Sequence, residues 1–246
     1  MHSIPDATTV ALFKERLRQV GIFAELFQRF DAYLKKQGLQ ARSGQIIDAT
    51  LVPVPKQRNR REENEDIKQG KVPEAWQDHP NRLRQKDLDA RWVKKNGVSH
   101  YGYKNSISID VTYGLIRRHV LTPATIHDSR MLPALLDGEN TEAMVWADSA
   151  YQSTVVDSVL KEVGYEGRIQ EKGRRQHPLA AAKARNREGS KTRSRVEHVF
   201  AQMAMVMGGR LPRCIGLARA RAWWCLRNLV FNFLRFTQLQ YGVVQA

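Results

Sequence analysis

The chain has 246 residues, 42% of them hydrophobic, with Lys and Arg outnumbering Asp and Glu by 40 to 25 for a formal charge of +15. That content supports a real core and excludes wholesale disorder, and the length allows one large domain or one domain with appendages. The excess of cations points to a polyanionic partner, because each Lys or Arg set on a phosphate releases condensed counterions.

The opening residues, Asp6 to Leu39, read as a helical hairpin. Val10, Phe13, Leu17 and Val20 recur at helical spacing, Gly21 interrupts, and Ile22, Leu26, Phe27, Phe30 and Leu34 carry a second helix to Gly38. Gln45–Val52 is rich in β-branched residues and is stopped by Pro53 and Pro55, which predicts a strand. Residues 53–98 form a polar insertion of dense mixed charge, expected to be solvated and partly disordered. Its competing reading is a basic arm that touches DNA through Lys56, Arg58, Arg60, Arg61, Lys94 and Lys95. Tyr103–Val111 and Leu115–Leu121 then make a hairpin around Gly114. Asp128 is expected to cap a helix running to about Leu136. Met144–Asp148 is a short buried strand, Thr154–Val163 an amphipathic helix, and Tyr165–Gln170 another strand. A basic loop, Glu171–Lys191, leads into a helix over Thr192–Met207, and a long helix over Ile215–Leu239 closes the chain.

This order predicts a mixed α/β domain, a five-stranded sheet flanked by helices. No uncharged run reaches the roughly 18 apolar residues a membrane span needs. No leader pattern opens the chain. Cys214 and Cys225 lie in an apolar helical stretch without histidines at ligand spacing, which argues against zinc and for reduced thiols. The expectation is a protein that stays in the cytoplasm, at the nucleoid.

Three carboxylates stand out by position. Asp48 lies inside an apolar strand, Asp148 closes another, and Glu197 borders the apolar stripe of Val196, Val199, Phe200 and Met203. Taken singly, Asp148 reads as a turn or cap residue, and Glu197 as a solvated acid paired with Arg193. Converging on one pocket they would need a cation, and their oxygens suit two Mg²⁺ or Mn²⁺ ions for phosphoryl transfer. Asp110 competes with Asp48 for this role, although a turn position before Gly114 explains it better. His127 and Asp128 are further candidate ligands.

At these residues the sequence resembles the bacterial insertion-sequence DDE transposases, specifically the insertion-sequence-five group. Ile46-Ile47-Asp48-Ala49-Thr50 is similar to that family's first-strand motif, and His100-Tyr101-Gly102-Tyr103-Lys104-Asn105 to its entry into the second strand. Ala147-Asp148-Ser149-Ala150-Tyr151 resembles the second-aspartate motif, with Ser149-Ala150 where Lys-Gly is usual. Arg195-Val196-Glu197-His198-Val199-Phe200 resembles the glutamate helix. Arg193 matches the family's arginine four residues before the glutamate, whereas Ser190 and Ala204 replace its tyrosine and lysine.

The resemblance implies a ribonuclease H-like catalytic domain over residues 43–246, with the helical segment 1–42 as part of a DNA-binding region. It implies metal-dependent DNA cleavage and strand transfer at Asp48, Asp148 and Glu197, with terminal inverted repeats and target DNA as substrates. A homodimer or larger assembly on DNA follows from the need to pair two ends. Phosphate contacts are expected from Lys104, Arg174, Arg175, Lys183, Arg185, Arg187, Lys191, Arg193 and Arg195. A catalytically silent DNA-binding remnant and a nuclease of the same fold are the alternatives.

Overall fold

The central strand β1 (Gln45–Pro53) forms where the β-branched run predicts it, and everything else is arranged around it. The computed structural model describes residues 4–171, 179–209 and 214–242, with the side chains of 179–182 and 185 left aside. β1 pairs antiparallel with β3 (Val98–Asp110) on one edge and parallel with β5 (Met144–Ala147) on the other. Beyond β5 lies β6 (Glu166–Ile169), also parallel. β3 is long enough to pair twice more, with β4 (Ile116–Pro123) and with β2 (Arg91–Lys95). The result is a mixed six-stranded sheet with helices against it, consistent with a ribonuclease H-like fold.

Alternation along β1 divides the core. Ile46 packs into a cluster with Phe23, Phe27, Phe30 and Leu34 of α2 (Ile22–Lys36), Val196 and Val199 of α8 (Leu179–Val206), and Trp224 and Leu229 of α9 (Leu217–Tyr241). Ile47 points the other way, into Leu132 and Leu135 of α6 (Leu132–Leu135) and Val156 and Leu160 of α7 (Thr154–Glu162). Because side chains on a strand alternate with a period of two, Asp48 shares the face of Ile46, the one that α8 covers. The predicted helical hairpin is present as α1 (Ala7–Gln19) and α2, and α2 belongs to the same apolar cluster as the sheet.

Three expectations need correction. The insertion is folded rather than loose: it contains α3 (Arg61–Lys68), α4 (Glu74–Gln77), α5 (Pro80–Arg84) and β2, which is why the sheet has six strands and not five. Its buried side chains are few and scattered, Val54, Glu63, Ile67, Trp76, Asp87 and Ala90 among them, too sparse and too polar to produce a visible period. Trp76 is fully buried and donates through Nε1 to Glu63 Oε1 at 2.7 Å, while Arg82 donates to the same oxygen at 2.8 Å. Asp87 then ties this unit down. It accepts from Tyr103 Oη at 2.7 Å, from the Ala90 N–H at 2.9 Å and from the Gly216 N–H at 3.1 Å, linking insertion, β3 and the start of α9. The β2–β3 turn is Asn96-Gly97, both at positive φ (51° and 80°), the chemistry that two-residue hairpins require.

The second correction concerns the basic loop, whose C-terminal part, from Leu179, is the first half of α8. Ala180-Ala181-Ala182 favours helix, and Asn186 and Ser190 anchor the helix to the end of β6 by bonding the Glu171 backbone and Gln170. The third is the turn after β4. His127, not Asp128, caps the 3-10 turn Asp128–Met131, and Asp128 instead pairs with Lys104.

Candidate active site

The register of β1 and β5 brings two of the three acids together. Gln45 lies beside Val145, Ile46 beside Trp146 and Ile47 beside Ala147, so the next step along the parallel pair sets Asp48 beside Asp148. The long spacing between them in the sequence is this register read through the intervening strands. Asp148 lies just past its strand, where it caps the 3-10 turn Ser149–Tyr151 by accepting the Ala150 N–H at 2.8 Å. The cap reading of this residue therefore holds, and it coexists with a place beside Asp48.

Asp48 is mostly buried. Its Oδ1 accepts the Ala49 N–H at 2.7 Å and its Oδ2 accepts from Arg193 Nη1 at 3.1 Å. Burial above all, and then the neighbouring charge of Asp148, push its carboxyl up to about 6, against the downward pull of the Ala49 N–H, Arg193 and Lys95.

Glu197 arrives from α8. It sits one turn beyond Arg193, and Arg193 Nη2 donates to its Oε1 at 2.6 Å. One guanidinium thus joins Asp48 to Glu197. Glu197 itself is exposed, 58% for its side chain, on the rim of the site. Among the described residues no group of three His, Cys, Asp or Glu side chains stands close enough to hold a metal ion.

The rival acid has another task. Asp110 is fully buried and accepts from the Tyr113 N–H at 2.7 Å, the Leu115 N–H at 3.2 Å and Arg117 Nε at 3.0 Å. Arg117 goes on to Asp31 of α2 and the Leu39 carbonyl, so Asp110 is a turn and packing anchor. His127 is likewise engaged locally, its Nδ1 lying 2.7 Å from Ser129 Oγ.

Residues 39–233 match the family model described as "Transposase DDE domain", a span that contains Asp48, Asp148 and Glu197. The chain belongs to the DDE transposases. A relative in Neisseria meningitidis serogroup B, the transposase for insertion sequence element IS1106, is 32% identical over 228 residues, covering 91% of this chain and 76% of that protein. The transposase is therefore of the bacterial insertion-sequence kind, and DNA binding and recombination come with the family. No solved structure matches it. No helix among the described residues is long and apolar enough to cross a membrane.

The basic residues of the transposase fall into distinct settings. Asn186, Ser190, Arg193 and Glu197 recur at intervals of three or four and share the face of α8 that meets the sheet ends. Lys183, Arg187 and Lys191 form an exposed stripe about a quarter turn away. Arg195 points elsewhere, to the Val111 carbonyl. Lys104, expected on DNA, is instead held inside: its Nζ donates to Asp128 Oδ1 at 2.8 Å and to the Ile126 carbonyl at 2.9 Å. Arg174, Arg175 and the side chain of Arg185 lie outside the described residues. Sequence reasoning names Tyr151 as the last residue of the second-aspartate motif but gives it no role; it is fully buried, within reach of the charges of Asp128, Asp48 and Asp148.

Proposed function

We propose that this transposase, of the insertion-sequence-five group, cleaves DNA at the ends of its insertion sequence and joins the exposed 3′-hydroxyl to target DNA, using Asp48, Asp148 and Glu197. The observation that carries the reading is the parallel register that sets Asp48 of β1 beside Asp148, just past the end of β5, with Glu197 linked to Asp48 through one guanidinium.

The donor set fits a divalent cation. Its atoms are hard carboxylate oxygens, Asp48 is held partly against ionisation by burial and by Asp148, and Arg193 bonds Asp48 and Glu197 in the absence of an ion. Asp48, Asp148 and Glu197 would hold two Mg²⁺ or Mn²⁺ ions, whose chemistry is to activate an attacking oxygen and stabilise a departing one.

The protein's own residues then position the substrate. Arg193 carries a planar fork of donors that matches a phosphate as well as a carboxylate, so an entering phosphodiester competes with Glu197 for it. The Lys183–Arg187–Lys191 stripe tracks the backbone alongside. Water is the first nucleophile and the freed 3′-hydroxyl the second, an order that requires both DNA ends to be held together and hence a dimer or larger assembly. Within the chain, residues 1–42 serve DNA binding and 43–246 catalysis, with 53–98 inserted.

Incubating the protein with labelled terminal repeats and a target plasmid tests this reading. Mg²⁺- or Mn²⁺-dependent nicking at the element's end, followed by joined product, is the expected result. Nicking without joining identifies a nuclease of the same fold. The other reading, a silent DNA-binding remnant, is favoured by the Arg193 bridge, which already neutralises Asp48 and Glu197. Ion-independent binding without any cleavage would establish it.

A further inference from the structure

The turn between β3 and β4 (111–115) meets α8 and α9 around a cavity of about 620 Å³. Its polar lining is Arg195, His198 and Gln202 of α8 with Arg235 and Gln238 of α9, and no Asp or Glu is among the described residues that line it. Both guanidiniums are anchored on that turn. Arg195 Nη1 donates to the Val111 carbonyl, Arg235 Nε to the Tyr113 carbonyl at 2.8 Å, and Arg235 Nη1 to Gln238 Oε1 at 3.3 Å. A guanidinium carries five N–H donors, so these bonds fix the two groups in place and leave most of their donors unspent. Arg117 and Arg193 each bond two carboxylates, whereas neither Arg195 nor Arg235 forms an ion pair with a described residue. Arg235 is half-buried, and burial works against its charge; Asp110, the acid whose charge reaches it, is taken up by Arg117 and two backbone N–H groups. Desolvating a cation without a counter-charge is costly, which calls for an anion from outside the chain.

We propose that this cavity is a phosphate site for the DNA backbone, in which Arg195 and Arg235 grip a phosphodiester on the side of α8 turned away from Glu197. At the roughly 100° per residue of an α-helix, His198, Gln202 and Arg195 lie about 100–160° round α8 from Glu197. The cavity is therefore separate from the acid site although both are built on the same helix. It is open to a large partner, because Arg195 and His198 are exposed at its mouth. Lys191 stands about one turn before Arg195, so the exposed stripe of Lys183, Arg187 and Lys191 runs on into the cavity. From Lys183 to Arg195 the path is about 18 Å long at the helical rise of ~1.5 Å per residue. One DNA strand, with a phosphate every ~3.4 Å of axis, sets several phosphates along such a path, which a free anion does not. The inference extends the backbone track proposed above and does not depend on the metal reading.

The test measures binding of the full chain, in chelator, to a duplex of the element's end and to an unrelated duplex, by fluorescence anisotropy across a salt titration. Arg195→Gln and Gln202→Glu probe the cavity, and Arg187→Gln probes the stripe. Arg195→Gln is expected to reduce the slope of log affinity against log salt by about 0.9 and to weaken both duplexes equally, the mark of a lost phosphate contact. Gln202→Glu sets a carboxylate in the lining and is expected to weaken both by about tenfold or more. Gln202 makes no hydrogen bond to a described residue, so this variant reads the site even if Arg195→Gln loosens the turn. Wild-type affinity and salt dependence in both cavity variants would overturn the inference, and a loss confined to Arg187→Gln would do so while keeping the stripe. Losses in the cavity variants alone would keep the cavity and remove the stripe. Calorimetric binding of thymidine monophosphate that Gln202→Glu abolishes, with DNA affinity unchanged, would make the cavity a small-molecule site and overturn the inference. A wild-type protein that binds neither duplex would overturn both readings.

Discussion

Arg193 Nη1 donates to Asp48 Oδ2 at 3.1 Å, tying α8 to β1 across 145 residues of chain. The contact fixes the depth at which the glutamate helix meets the sheet, and it keeps two adjacent aspartates from standing uncompensated. Both partners are largely buried, with side-chain exposures of 18% and 16%.

Removing that charge is expected to destabilise the metal-free protein. Arg193→Ala leaves Asp48 without its bonded cation and beside Asp148, a loss of about 1–3 kcal/mol by the usual cost of breaking a mostly buried pair. Chemical denaturation in chelator should show the loss, and Mn²⁺ should restore more stability to the variant than it adds to wild type. Equal stability of the two proteins in chelator would contradict this account of Arg193.

His119, on β4, meets the edge of the Phe27 ring at a centroid distance of 4.6 Å, and burial holds its imidazole down to about 4. Its folded value lies below the unfolded one, so between about pH 6.5 and 4 the unfolded chain binds the extra proton. Its stability contribution is therefore complete above pH 6.5 and disappears as the pH falls toward 4. The loss attributable to this residue is on the order of 2–3 kcal/mol. His119→Gln should flatten the stability–pH curve across that window, measured by urea unfolding at several pH values. An unchanged slope would remove His119 from the acid sensitivity.

Asp87 holds the insertion to the rest of the protein. Asp87→Ala strands the Tyr103 hydroxyl and the Ala90 and Gly216 N–H groups, at an expected cost of about 2–4 kcal/mol. The change should also expose residues 53–98 to limited proteolysis before the sheet is attacked. Simultaneous cleavage throughout the chain would show instead that the insertion and the sheet open as one unit.

Gly102 sits in β3 at φ 148°, and a Cβ there would lie 2.1 Å from the Val52 carbonyl oxygen on β1. Gly102→Ala must push the two strands apart, and about 2 kcal/mol or more of stability should be lost. A wild-type unfolding temperature in this variant would refute the close approach.

Much of this was legible in the sequence because its signals are local. β1, α1, α2 and α9 follow from β-branched runs and helical spacing, and their positions agree with the structure to within a few residues. The insertion was misread because its order comes from Glu63, Trp76 and Asp87, polar or isolated residues whose partners are remote in sequence. Its Asn96-Gly97 turn was the one local clue. The helix before Lys191 was hidden by its charge, although Ala180-Ala181-Ala182 marked it. At the site, Asp48 and Asp148 were found from strand context. The pairing of Lys104 with Asp128, and the burial of Tyr151 within reach of the acids' charges, depend on how β3 and the two 3-10 turns meet, which no sequence window contains.

The central claim is tested most directly by three single variants, Asp48→Ala, Asp148→Ala and Glu197→Ala, assayed for Mg²⁺-dependent nicking of terminal-repeat DNA alongside binding of the same DNA. Each is expected to lose nicking by at least a hundredfold while binding stays within a few-fold of wild type. Nicking at the wild-type rate in any one of them would contradict the assignment of that acid, and in all three would contradict the site.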